Sequence, residues 1–142
     1  WIRVHAAVAA ARLGDSDADK IILRDLDNLA AGSLPSFVRI LSRIKEPAVQ
    51  ARLLPELLTR SRGQDTDIAI AASAIHLAWK PEDAIFRMID ALSAPTSKER
   101  DLAEDYLTDN DSDSLTWLLR RSLARETRPH TKERLRKLLD QR

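Results

Sequence analysis

Two runs of alternating acids, three histidines and a basic C-terminal stretch are the residues whose types and spacing bear on chemistry. Asp15-Ser16-Asp17-Ala18-Asp19 has the alternating carboxylates that open a calcium loop. Such a loop also needs glycine at its sixth position for the turn and glutamate at its twelfth for bidentate ligation. Here those positions are Lys20 and Leu26. Asp109-Asn110-Asp111-Ser112-Asp113 departs in the same way, at Ser114 and Arg120. Both runs read instead as helix N-terminal caps, where short polar side chains accept backbone N–H groups and acids favour the helix dipole. His5, His76 and His130 fall on three different predicted helices, whereas a zinc site needs three or four convergent ligands. His5 and His130 are expected in solvent and His76 at a helix–helix contact. The three glycines lie too far apart for a phosphate loop, and no nucleophile elbow is present. Neighbouring acids such as Glu104 and Asp105 point apart on a helix. With no cysteine there is no disulfide, thiolate metal site or cysteine nucleophile. The expectation is a chain that is not an enzyme, with no catalytic residue, metal, cofactor or small-molecule substrate.

Charge is distributed unevenly. Residues 115–142 carry Arg120, Arg121, Arg125, Arg128, Lys132, Arg134, Arg136, Lys137 and Arg142 against Glu126, Glu133 and Asp140. That segment is therefore +6, which leaves −5 for the remainder of a chain of net charge +1. The stretch before it is acidic, with Glu99, Asp101, Glu104, Asp105, Asp109, Asp111 and Asp113. Three readings stand: a solvated helix face partly paired to its acidic neighbour, a contact for an acidic protein, or a contact for nucleic-acid phosphates. Arg120, Arg121, Arg125, Arg128, Lys132, Arg134, Arg136 and Lys137 are the candidate binding residues. Trp117 is the one aromatic near them that could stack on a base. Trp79 and Trp117 are expected in the core, and Trp1 in solvent. Membrane docking is not expected, because the apolar face of Leu135, Leu138 and Leu139 is small and better used in packing.

The elements that must position these residues are helices. Of the 142 residues, 44% are hydrophobic, 32% charged and only 4% aromatic, and glycine is scarce. This is a composition for helices packed on helices. No apolar run approaches the roughly 18 residues of a membrane span, and no signal peptide is visible. The expected location is cytoplasmic. Apolar residues recur at helical spacing in nine segments: 2–13, 17–30, 34–45, 47–61, 67–79, 82–93, 97–108, 113–126 and 130–141. Segment 67–79 is apolar nearly all round and should be buried between neighbours. Gly14, Gly32 and Gly63 each follow a helical run, where a left-handed cap is expected. Pro47, Pro81 and Pro129 sit just inside helix starts. Thr96 with Glu99 reads as a capping box. Pro55 should bend the 47–61 helix near Leu54 without dividing it.

The helices ending near Leu13, Ile44, Leu77 and Leu107 recur about every 32 residues, two helices to a period, which is a solenoid pattern. Ile2-Arg3-Val4-His5-Ala6-Ala7-Val8-Ala9-Ala10-Ala11-Arg12-Leu13-Gly14-Asp15 resembles the second helix of a HEAT-like repeat, whose pattern is V-R-x-x-A-A-x-A-L-x-x-L-G-D. Residues 53–58 (LLPELL) resemble the first helix with its proline, 71–74 (AASA) the small positions of the next second helix, and 99–103 (ERDLA) a weaker echo. The pattern departs at Ile68, where arginine is usual, and at 38–44, where Val38-Arg39 is kept but the alanines are lost. The resemblance spans 1–109, and its motifs are fullest at 2–15 and 53–78. It implies an all-α superhelix of about four antiparallel helix pairs plus a C-terminal helix. This would be a single domain over 1–142, cut from a longer chain, since it opens on a second-helix motif. HEAT-like proteins mostly serve as scaffolds and binding platforms, so the resemblance implies a non-catalytic protein–protein interaction module. The alternative is nucleic-acid binding through residues 115–142, as in some HEAT-like DNA glycosylases, none of whose catalytic residues is matched. HEAT-like repeats also occur in phycobilin lyase subunits, and no residue singles out that role. Grip is expected on the helices at 67–79 and 113–126.

Overall fold

A computed structural model describes all of residues 1–142. It is all helical: α1 (Ile2–Arg12), α2 (Ser16–Asn28), α3 (Leu34–Ser42), α4 (Pro47–Ser61), α5 (Thr66–Trp79), α6 (Pro81–Leu92), α7 (Ser97–Asp109), α8 (Asp113–Arg125) and α9 (Pro129–Asp140), with a 3-10 turn at Ala31–Ser33. All nine expected helices form, and α4 runs unbroken through Pro55.

Local chemistry sets the helix ends. Asp15 accepts from the Asp17 N–H at 2.9 Å, so the first acidic run is used to begin α2. In the second acidic run Ser112 is the cap, accepting from Leu115 at 3.3 Å, while Asp113 lies in the first turn of α8. Asp65 caps α5 and Thr96 caps α7, accepting from Ile68 and Glu99 respectively. Pro47, Pro81 and Pro129 open α4, α6 and α9, where their missing N–H is not needed. The glycines divide. Gly14 alone adopts the left-handed region, at φ +91°. Gly32 lies within the 3-10 turn, and Gly63 continues from α4 by donating to the Arg60 carbonyl at 3.0 Å. A side chain at Gly63 would place Cβ 3.1 Å from that same carbonyl oxygen, so its glycine serves close approach rather than a left-handed cap.

Contacts between helices are local in sequence. The principal ones join successive helices (α1–α2, α4–α5, α5–α6, α6–α7, α8–α9) or helices two apart (α1–α3, α3–α5, α5–α7, α7–α9 and α2–α4, α6–α8). One link, α6–α9, is longer. The core is continuous. Phe37, Leu41, Leu53, Ile75, Met88, Leu107, Leu119 and Leu135 are fully enclosed and carry it from α3 to α9. Burying each side chain of this size contributes roughly 1.5–3 kcal/mol. α5 packs on α3, α4, α6 and α7, and eight consecutive residues from Ile70 to Leu77 are buried. Its small residues Ala71, Ala72 and Ala74 let the flanking helices come close. Trp79 is half-buried and donates from Nε1 to the Leu41 carbonyl at 3.0 Å, tying α5 to α3.

Ion pairs repeat this locality. Arg52 meets Asp19 at 2.8 Å and Arg60 meets Asp27 at 2.7 Å, linking α2 to α4. Lys98 meets Asp67 at 3.2 Å, linking α5 to α7. Arg134 meets Asp101 at 3.4 Å, linking α7 to α9. The partners are 31 or 33 residues apart in every case, the same interval as the helix ends. Arg39 reaches farther, from α3 to Asp109 at the end of α7, at 3.0 Å. Arg3 pairs with Asp25, which is buried on α2, so the arginine of the first motif fastens α1 to its neighbour.

Candidate interaction surface

The eight candidate basic residues do not form one patch. Their environments separate into residues already satisfied within the molecule and residues that are not.

Arg134 on α9 is held by Glu104 at 2.6 Å and Asp101 at 3.4 Å, and Lys137 meets the same Glu104 at 3.3 Å. Glu104 is largely shielded by its two partners, its side chain only 14% exposed. These groups line a cleft of about 700 Å³ between α7 and α9, most of whose lining residues are polar or charged. Arg128 lies between Glu126, at 2.8 Å, and Asp90 on α6, at 3.4 Å. The hydrogen bonds from Arg128 hold the Glu126 carboxyl down at a pKa of about 2, and Glu126 in turn keeps the guanidinium raised above its usual value. Arg128 therefore closes the α8–α9 link. Arg142 is also structural: it donates to Thr116 Oγ1 at 2.6 Å and to the carbonyls of Leu107 and Ser112, so it fastens the chain end to the start of α8. The acidic stretch and the basic tail thus meet where Arg134 and Lys137 pair with Asp101 and Glu104.

Arg120, Arg121, Arg125, Lys132 and Arg136 make no ion pair or side-chain hydrogen bond. Trp117, Arg121 and Arg125 follow at four-residue spacing along the exposed side of α8, and Arg120, three residues after Trp117, flanks the tryptophan on its other side. That face looks outward. Trp117 is 54% exposed and the Arg121 guanidinium sits 5.2 Å from the centre of its ring. The tryptophan expected in the core is therefore a surface residue. The reason is phase: the buried stripe of α8 is Leu115, Leu118 and Leu119, and Trp117 falls on the opposite side. Beside it, between the starts of α6 and α8, is an open cleft of about 560 Å³ that includes Lys80, Glu82, Asp83, Asp113 and Trp117.

Phe86 on α6 is a surface residue absent from the sequence expectations. It is 55% exposed, with Arg87 5.3 Å from its ring centre, and α6 packs against α8. Its signal was available, since Phe86 stands outside the Ile85, Met88, Ile89, Leu92 stripe. The 67–79 helix, expected to offer a gripping face, is largely enclosed by four neighbours; α5 contributes Ala74, Leu77 and Ala78 to a groove beside α3 and α7, and Ala69, Ile70 and Ser73 to a smaller cleft beside α6. His76 is buried on α5, as expected of a contact residue, while His5 and His130 are in solvent.

No family model matches the chain, and no curated protein or solved structure matches it. No helix is long and apolar enough to cross a membrane.

Proposed function

We propose that this chain is a non-catalytic protein-interaction module, a HEAT-like solenoid whose outward α6–α8 face binds an acidic segment of another protein. Support for the architecture is the concentration of helix contacts among near neighbours in sequence, with Arg39–Asp109 the long exception, and the four ion pairs that recur at 31 or 33 residues. In a solenoid each unit touches only adjacent units, so both features follow. One observation carries the functional reading. Arg120, Arg121 and Arg125 lack carboxylate partners beside an exposed Trp117, in a region where Arg128, Arg134 and Lys137 all have them. Exposed tryptophan and arginine are the side chains that most often dominate protein interfaces. The acids nearby, Glu82, Asp83 and Asp113, favour a short acidic segment within a protein over a long uniform polyanion such as nucleic acid.

Nucleic-acid binding is the second reading, favoured by the two exposed aromatics with arginines over their rings, since such rings can stack on unpaired bases. One experiment separates the two. Binding of the chain to a glutamate-rich peptide with a central tryptophan, and to single- and double-stranded oligonucleotides, is measured at low and physiological salt. Peptide binding that persists at physiological salt, and weakens at least about tenfold when Arg120, Arg121 and Arg125 become alanine, supports the protein reading. Oligonucleotide binding that falls steeply with salt transfers the face to nucleic acid. An unchanged affinity in the triple variant removes this face from either role.

A further inference from the structure

A groove lies between α3 and α7, floored in part by α5, in the middle of the chain. It has two parts, of about 590 and 270 Å³, and Pro35, Arg39, Tyr106 and Asp109 line both. The floor is apolar: Val38, Ala74 and Leu77 are buried, and half-buried Ala78 completes it. The walls differ in charge. On the α3 side Arg43 and Lys45 are exposed and make no ion pair or side-chain hydrogen bond. On the facing side Asp111, just past α7, is exposed and has no cation beside it. The Arg39–Asp109 pair, at 3.0 Å, joins the two walls. Tyr106 supplies an independent observation. It is only 5% exposed, and its hydroxyl is closed off from water without a hydrogen-bond partner. Burial raises its pKa, with Asp67 and Asp109 acting in the same direction and Arg39 against them, so the phenol keeps its proton and is a donor with no acceptor. Native proteins rarely leave a buried polar group in that condition, because it has lost water and gained nothing.

We infer that this groove takes a short extended peptide segment of a partner protein: a carboxylate of the segment meets Arg43 and Lys45, small apolar side chains cover Val38, Ala74 and Ala78, and a backbone carbonyl accepts from the Tyr106 hydroxyl. Two parts joined through shared residues suit an elongated occupant, since a compact molecule would fill only one of them. The small side chains of Ala74 and Ala78 leave room above the floor for apolar groups of the occupant. Charge selects the kind of chain. Arg43 and Lys45 attract an acid at one wall, while Asp109 and Asp111 on the other repel a uniform polyanion, which excludes a nucleic-acid backbone. Seating the segment requires the Arg39–Asp109 pair to swing aside. Both side chains are about half exposed, and an ion pair in that position is weakly held. The groove shares no residue with the Trp117, Arg120, Arg121 and Arg125 face, so the inference does not depend on what that face binds.

Titration of the chain followed by amide NMR shifts tests the inference. The probes are two capped peptides, glutamate before Ala-Val-Ala and glutamate after it, which cover both chain directions; the same peptides with lysine for glutamate are the controls. At least one glutamate peptide should shift Arg43–Lys45, Ala74–Ala78 and Tyr106–Asp111 and saturate with a Kd between roughly 0.1 and 1 mM, and the lysine peptides should not. Arg43→Glu with Lys45→Glu, both on the surface, should weaken binding at least about tenfold. Tyr106→Phe should weaken it about three- to tenfold while leaving the melting temperature unchanged or raised, because the hydroxyl removed has no partner in the free chain. The variant with Arg120, Arg121 and Arg125 changed to alanine should bind these peptides as the wild type does. Absence of shifts from both glutamate peptides, undiminished binding in the Arg43→Glu, Lys45→Glu variant, or loss of binding in the triple alanine variant overturns the inference. Unchanged binding by Tyr106→Phe overturns the part given to the hydroxyl. The same shifts on raising the protein concentration alone, or on adding a single-stranded oligonucleotide, would assign the groove to a second copy or to nucleic acid and overturn it equally.

Discussion

His76 shows how a single polar side chain is constrained by its place in the core. It lies on the most enclosed helix, and its Nδ1 has no partner. Burial disfavours the imidazolium and lowers its pKa below the usual 6.5, with Arg87 and Lys80 acting in the same direction and Asp83 against them. The sign follows from linkage. The unfolded chain takes up a proton as pH falls through about 6.5, and the folded chain does not until lower pH. Stability is thus full above that value and declines below it, by at most about 1.4 kcal/mol per pH unit from this residue. Thermal or denaturant unfolding between pH 7 and pH 5 should show this decline, and His76→Leu should flatten it. Equal slopes in the two proteins would mean that His76 is hydrated in the native state. The sequence indicated that His76 would lie between helices but not its unpartnered nitrogen, because that depends on which groups from α6 arrive beside it.

At the scale of elements, hydrophobic period and punctuation were enough to place every helix. The apolar stripe, the proline at N1 and the Asp, Ser or Thr cap are all local, and local terms decide where helices begin. Orientation of the aromatic residues was equally local yet was misread for Trp117, because size was weighed above phase on the helix. Gly32 and Gly63 were misjudged for the opposite reason. A glycine after a helix permits the left-handed cap without requiring it, and the following chain path determines the outcome. The pairing of the basic tail was legible only as a possibility. That Arg134 and Lys137 share Glu104 is set by how α9 lies along α7. This pairing gives a testable consequence for one element. Glu104→Ala removes the carboxylate that Arg134 and Lys137 share, leaving Arg134 only the longer pair with Asp101, and should loosen α9 from α7 at a cost of about 1 kcal/mol. Amide exchange should rise across Pro129–Asp140 and not across α3–α5. A uniform rise along the chain would show that α9 and α3–α5 open together.

For the molecule as a whole, the position of a residue in the order of helices sets how much its loss is felt. Ile75 is completely enclosed on α5, which has four neighbouring helices, whereas Leu138 is enclosed on α9, which has three. Ile75→Ala should cost towards the upper part of the usual range of about 2–5 kcal/mol, and Leu138→Ala towards the lower part, because fewer surroundings resist collapse near an end. Equilibrium unfolding in urea distinguishes them, and a larger loss at Leu138 would contradict a core centred on α5. The 32-residue interval of the sequence returns in the spacing of four inter-helix ion pairs, whereas nothing in a periodic pattern encodes what lies outside the molecule.

The near-neighbour arrangement of the helices also has a kinetic meaning. Almost every helix finds its partners within the next two helices, so little loop entropy must be lost before contacts form. Such a chain should fold quickly, on the microsecond-to-millisecond scale typical of helical proteins rich in local contacts. It can also begin before synthesis ends. By the time α5 has emerged, the partners it needs on α3 and α4 are already available, and each later helix adds to a surface that is waiting for it.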